Sequence, residues 1–225
     1  MNTQLLRKEL REVWLIGLLA LLAAALIVMS DAELHPLSDP WRTAHAAQPG
    51  GRAIPLIRVC YPLGPAAVVA GLILGLWQSW SENIRGTWGF LLHRPISRSS
   101  VLYHKLGSGI AVLLVAVGVP LALLTCWAVS PGHHVVGLES RMGADAWAAV
   151  LCGTVAYLSA FLSGIRSARW WGSRFLVLGP GGAIVFLTIA SGTIWGWSWL
   201  IIPVIDLLLL AAILHEAEQR NFSDS

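Results

Sequence analysis

Runs of about 17 or more mostly apolar residues recur along this chain, and each is long enough to cross ~30 Å of hydrocarbon. We read six of them, near 13–29, 60–80, 106–129, 146–165, 175–193 and 196–214. A backbone in lipid finds no water for its N–H and C=O groups, so such runs fold as helices that satisfy them internally. Charged residues make up only 12% of the 225, and mean hydropathy is +0.68. Soluble domains carry about 25% charged residues. The expected class is therefore all-α: a polytopic membrane protein of six transmembrane helices, with residues 1–225 forming a single membrane domain.

The basic residues orient it. With the N-terminus inside, the inner side holds Arg7, Lys8, Arg11, Arg85, Arg94, Arg98, Lys105, Arg166, Arg169, Arg174 and Arg220. The outer side holds only Arg42, Arg52, Arg58 and Arg141. Positive charge accumulates on the cytosolic side of membrane proteins, so both termini are expected inside. The net charge of +3 is explained by this distribution, and nothing in it points to nucleic acid. Many of the twelve tryptophans, including Trp14, Trp77, Trp80, Trp127 and Trp147, fall near predicted span ends. An indole settles at headgroup level, so an aromatic belt accounts for them.

The first apolar run follows Arg7, Lys8 and Arg11 and precedes Ser-Asp-Ala-Glu-Leu-His-Pro, a poor cleavage site. It reads as a retained span rather than a signal peptide. Residues 1–12 place Leu5, Leu6 and Leu10 on one helical face among charges, the pattern of an interfacial helix lying on the inner surface, with charges that serve only to orient the first span as the alternative. Residues 30–58 form the longest outer loop. Pro36, Pro40, Pro49, Gly50, Gly51 and Pro55 argue against a long helix there. Gly179-Pro180-Gly181-Gly182 interrupts the fifth run, as a kink or as a point of close helix packing. Cys60, Cys126 and Cys152 lie in or beside spans and form no CxxC. They read as small buried hydrophobes, with a Cys60–Cys126 disulfide as the alternative.

Enzyme motifs are few. No phosphate-binding Gly-x-x-x-x-Gly-Lys-[Ser/Thr] loop occurs, and His215-Glu216 lacks the second histidine of a His-Glu-x-x-His zinc motif. His133 and His134 are adjacent, so on either a strand or a helix they diverge, and with Glu139 they make no ready metal site. No resident cofactor is expected. One charge remains inside a span, Asp206 in Pro-Val-Ile-Asp-Leu-Leu-Leu, where insertion costs about 2.5–3.5 kcal/mol. It reads either as a functional contact for a proton or substrate, or as a hydrogen-bonded residue that fixes helix packing.

The segment with most chemistry is 81–105, predicted to face the cytosol as helix, turn, helix. Glu82 and Arg85 close the second run, Gly86 and Gly89 loosen the backbone, and Leu91 and Leu92 stand between charges. Pro95 turns Arg94 away from helix. Ser97 to Ser100 cap a new helix that runs through Lys105 into the third span.

Glu82, Gly86-Thr87, Leu91-Leu92, Arg94, Pro95-Ile96-Ser97-Arg98 and Lys105 together resemble the permease family of ABC transporters of the second export type. The start, Leu5-Leu6-Arg7-Lys8-Glu9-Leu10, is similar to that family's interfacial elbow helix. The motif covers about 25 residues and the topology the whole chain. The resemblance implies an exporter permease subunit of a bacterial inner membrane, paired with a second permease chain, identical or not. A separate cytosolic ATPase, carrying ATP and Mg, would dock on the loop. Glu82 would brace the loop or face the ATPase, and Arg94 and Arg98 would meet acidic groups of that partner. Two features depart from the family: the outer loop is Pro-rich, and the turn near 194–196 is too short for re-entrant helices. Two other readings stay open: a non-transporting scaffold or assembly factor with a permease-like fold, and a membrane-embedded lipid-modifying enzyme.

Overall fold

The computed structural model describes residues 3–31, 55–85, 98–129, 140–166, 177–179, 182 and 195–219. Among them are five long helices and no strand: α1 (Thr3–Asp31), α2 (Pro55–Arg85), α3 (Arg98–Val129), α4 (Ser140–Ile165) and α5 (Trp195–Gln219). Each contains a stretch long and apolar enough to cross a membrane. The exposed side chains agree. Trp14, Leu15, Leu19 and Leu22 on α1, and Leu200, Val204, Leu207 and Leu208 on α5, all face outward. A soluble protein would not leave such continuous apolar stripes uncovered. The chain is a membrane-embedded helical protein.

Most of the fifth predicted crossing, 175–193, lies outside the described residues, as do the loop 32–54, the segment 86–97 and the His133, His134, Glu139 group. Gly179 and Gly182 are described. Both are exposed, and no described atom lies within 4 Å of a Cβ built on either.

One expectation is corrected. Residues 1–12 were to lie on the surface as a separate elbow, with a turn into the bilayer after them. Instead Thr3–Asp31 is one uninterrupted helix of 29 residues. Leu10-Arg11-Glu12-Val13-Trp14 contains no Gly, Pro or capping residue that would end a helix. At 1.5 Å per residue α1 is about 43 Å long, longer than the ~30 Å hydrocarbon layer. Its charged first turns can thus continue the span instead of lying across it.

α4 is the central helix. Nearly every side chain from Ala146 to Ile165 is buried. It packs most extensively on α2, because α2 offers small residues at a four-residue repeat and α4 sets glycines against both ends of that stripe. On α2 these are Ala67, Gly71, Gly75 and Ser79, and on α4 Gly153 and Gly164 face them. A Cβ built on Gly153 would lie 2.9 Å from the Ala67 carbonyl oxygen, and one on Gly75 would lie 2.9 Å from Ala160 Cβ. Small residues allow backbones in lipid to approach until van der Waals contact holds them. Residue numbers rise together along this contact, from Ala67 beside Gly153 to Ser79 beside Gly164, so α2 and α4 run parallel. α1 and α3 are also parallel, with Glu9 beside Lys105 and Gly17 beside Val112. α3 is antiparallel to α4, with Gly109 beside Tyr157 and Gly118 beside Trp147. The start of α1, the end of α2, the start of α3 and the end of α4 therefore share one end of the bundle. The 86–97 segment leaves and re-enters the described structure at that end.

Candidate functional site

The buried polar side chains are concentrated near that end. Glu9 on α1 and Lys105 on α3 form an ion pair, Nζ to Oε2 at 3.2 Å, and both side chains are 1% exposed. Lys105 Nζ also donates to Glu9 Oε1 at 3.4 Å. An ion pair this deep is costly to desolvate and holds only because the charges satisfy each other. From Lys105 the network continues through the backbone. Ser108 Oγ donates to the Lys105 carbonyl at 2.8 Å, and Gln78 Nε2 on α2 donates to the same carbonyl and to Ser108 Oγ, each at 3.4 Å. The Tyr157 hydroxyl on α4 donates to Gln78 Oε1 at 2.6 Å. Four helices thus meet in one chain of polar contacts. Gly109 makes room for it, since a Cβ there would strike the Tyr157 hydroxyl and come within 2.6 Å of Gln78 Oε1.

The sequence spacing puts this network two turns from the loop. Gln78 stands seven residues before Arg85, the last residue of α2, and Lys105 seven residues after Arg98, the first of α3. Glu82 belongs to the last turn of α2, which continues to Arg85 instead of ending at the predicted span boundary. Gly86, Thr87, Leu91, Leu92, Arg94 and Pro95 lie outside the described residues. Lys105 is not at the surface. Grouped by sequence with the loop residues, it is turned into the bundle and fully buried against Glu9.

A second polar site joins α4 to α5. Thr154 Oγ1 lies 2.7 Å from Asp206 Oδ2 and 2.7 Å from the Leu151 carbonyl. Asp206 Oδ1 is buried and has no hydrogen-bond partner among the described residues. Around it lie Val155, Ile202, Ile205 and Leu209, an apolar setting in which the carboxyl has Thr154 as its hydrogen-bonding contact. α5 passes through Pro203 without a break. The Pro203 nitrogen carries no hydrogen for the Trp199 carbonyl four residues earlier, which leaves a backbone acceptor about two turns before Asp206.

No protein-family model, curated protein or solved structure matches this chain. Function therefore has to be argued from its own residues. Among the described residues no group of three His, Cys, Asp or Glu side chains is placed to hold a metal ion.

Glu9, Gln78 and Tyr157 are site residues that the sequence motifs do not single out. A signal existed for Gln78: it is the one amide between Pro62 and Ser81. Glu9 looked like one more surface charge between Lys8 and Arg11, and only its position opposite Lys105 distinguishes it.

Proposed function

We propose that this chain is the permease subunit of an ATP-binding cassette exporter, driven by a separate ATPase that docks on the 81–105 loop between the second and third spans, and resident in a bacterial inner membrane as one of two permease chains. The observation that carries the reading is the ordered set Glu82, Gly86-Thr87, Leu91-Leu92, Pro95-Ile96-Ser97-Arg98 and Lys105 between two membrane-crossing helices. Its support from the fold is mechanical. Both stems of the loop are continuous helices, so a push on the loop is delivered to helix ends and not lost in flexible chain. The chain carries no phosphate-binding loop of its own, so its energy source would be another polypeptide.

The experiment is a mild-detergent pull-down of the tagged chain from its native membrane, with identification of what accompanies it. The expected result is a stoichiometric soluble protein bearing a phosphate-binding loop, lost or weakened in Glu82→Ala and Arg98→Ala. Capture of no such ATPase by a folded, monodisperse wild-type chain would overturn the reading.

One observation favours the scaffold reading as second choice. The polar groups found inside the bundle bond mainly to one another, and α4 fills the centre largely with apolar side chains such as Leu158, Phe161, Leu162 and Ile165, so the described helices offer little polar lining. Such an interior suits an apolar or amphiphilic cargo, or none.

A further inference from the structure

We propose that Glu9, Lys105, Gln78 and Tyr157 are positioning residues that carry movement of the neighbouring helix ends at Arg85 and Arg98 into α1 and α4, and that Lys105 acts inside the bundle instead of touching the ATPase. The inference rests on the permease reading.

Gln78 and Lys105 stand at equal distances along the two stems, each two helical turns from the helix end, and the Gln78 amide bonds the Lys105 carbonyl directly. Seven residues of helix span about 10 Å, so each stem between clamp and helix end is a short rigid lever. A force on those helix ends tilts both levers about that clamp. Two connections lead away from it. Lys105 reaches Glu9 and so α1, and Gln78 reaches Tyr157 and so the central helix. The Asp206–Thr154 contact joins only α4 and α5, and neither helix supports the loop.

The chemistry of the joint argues for this role over simple adhesion. Helices in lipid can be held by small-residue packing alone, as α2 and α4 are along Gly71 and Gly75. A buried ion pair adds no stability that apolar side chains of similar volume could not supply. What it adds is discreteness: directional contacts in a low dielectric are either made or broken, which is how packed elements pass between defined arrangements. The Lys105 ammonium is fully buried, so its charge is spent on Glu9 and is not presented to a soluble partner.

The test compares the wild-type complex with Glu9→Met/Lys105→Met and with the reversed pair Glu9→Lys/Lys105→Glu, all in proteoliposomes with the ATPase that the wild-type chain captures. Capture stoichiometry, thermal stability and the ratio of ATP hydrolysis by the complex to that of the ATPase alone are read together. The apolar pair should insert, stay as stable as wild type and capture the ATPase fully. Its hydrolysis ratio should move toward one by at least about fivefold, the size of an ordinary coupling between sites. The reversed pair should recover much of the wild-type ratio. A merely structural staple would leave the ratio of the stable apolar pair unchanged, and that result overturns the inference while the permease reading survives. If the apolar pair does not fold, Tyr157→Phe cuts the branch into α4 with the ion pair intact. It should lower the ratio at full capture, and a wild-type ratio there overturns the inference as well. No ATPase captured by the wild-type chain removes the reading and this inference together.

Discussion

Tyr157 donates its hydroxyl hydrogen to Gln78 Oε1 at 2.6 Å, from the middle of the central helix to the face of α2 nearest the loop. Tyr157→Phe keeps the ring and leaves that amide oxygen buried without its donor. The expected loss is about 1–3 kcal/mol, the cost of stranding a buried polar group. Adding Gln78→Leu should recover part of the loss, because it removes the stranded acceptor. Unfolding in denaturing detergent, followed by tryptophan fluorescence, measures both, and a loss that simply doubles in the double variant would disprove the link.

The small-residue ladder makes a different prediction. A Cβ at Gly71 falls on the Gly153 carbonyl oxygen, and the obstacle is backbone, which cannot swing aside. Gly71→Ala should therefore force α2 from α4 and destabilise the chain by about 1–3 kcal/mol. Gly107→Ala is the control. It stands on the exposed side of α3, and among the described residues no neighbouring atom lies within 4 Å of its built Cβ. It should be neutral or stabilising, by up to about 1 kcal/mol. Equal effects at the two sites would remove the packing argument.

Lys105→Met on its own leaves the Glu9 carboxylate facing an apolar side chain inside the bundle. It should cost about 3–5 kcal/mol, whereas pairing it with Glu9→Met should restore most of that. A double-mutant cycle on thermal stability reads the coupling directly. If the single and double variants are equally unstable, Lys105 is held by something other than Glu9.

Thr154→Val removes the hydroxyl from Asp206 and should destabilise the chain by about 1–3 kcal/mol, while Thr154→Val/Asp206→Leu should be nearly neutral. The same pair separates structure from function. If Asp206 only ties α5 to α4, the stable apolar pair keeps full coupling to the ATPase. If Asp206 meets cargo or a proton, that pair folds and loses transport. Stability and transport measured on one preparation decide between the two.

Much of the architecture was legible in the residues. The predicted runs 60–80, 106–129, 146–165 and 196–214 each lie within one of the described helices α2 to α5. The helices extend past the apolar runs because charged flanks such as Ser81–Arg85 contain no breaker. The start of α1 departs from the expected elbow for the same reason: a change from polar to apolar suggests a change of direction, but a helix bends at Pro, Gly or a cap and not at a change of polarity. The ladder Ala67, Gly71, Gly75, Ser79 was also present in the sequence, as a four-residue repeat of small residues, and went unread.

What the sequence by itself determined is class and length: an apolar chain of this kind must satisfy its backbone internally, so it forms membrane-crossing helices, and its basic residues mark one set of ends. Which helix faces which was decided only by tertiary structure. In water a buried stripe stands out from a polar face, but here Leu15, Leu18, Leu19 and Leu22 face outward and are as apolar as the inward-facing Val13, Ala24 and Val28. Apolar periodicity therefore carries no information about partners when the solvent is itself apolar. Glu9 and Lys105 are 96 residues apart in the chain, and Gln78 and Tyr157 are 79. Close packing brought each pair together, and the low dielectric around them makes a missing partner costly.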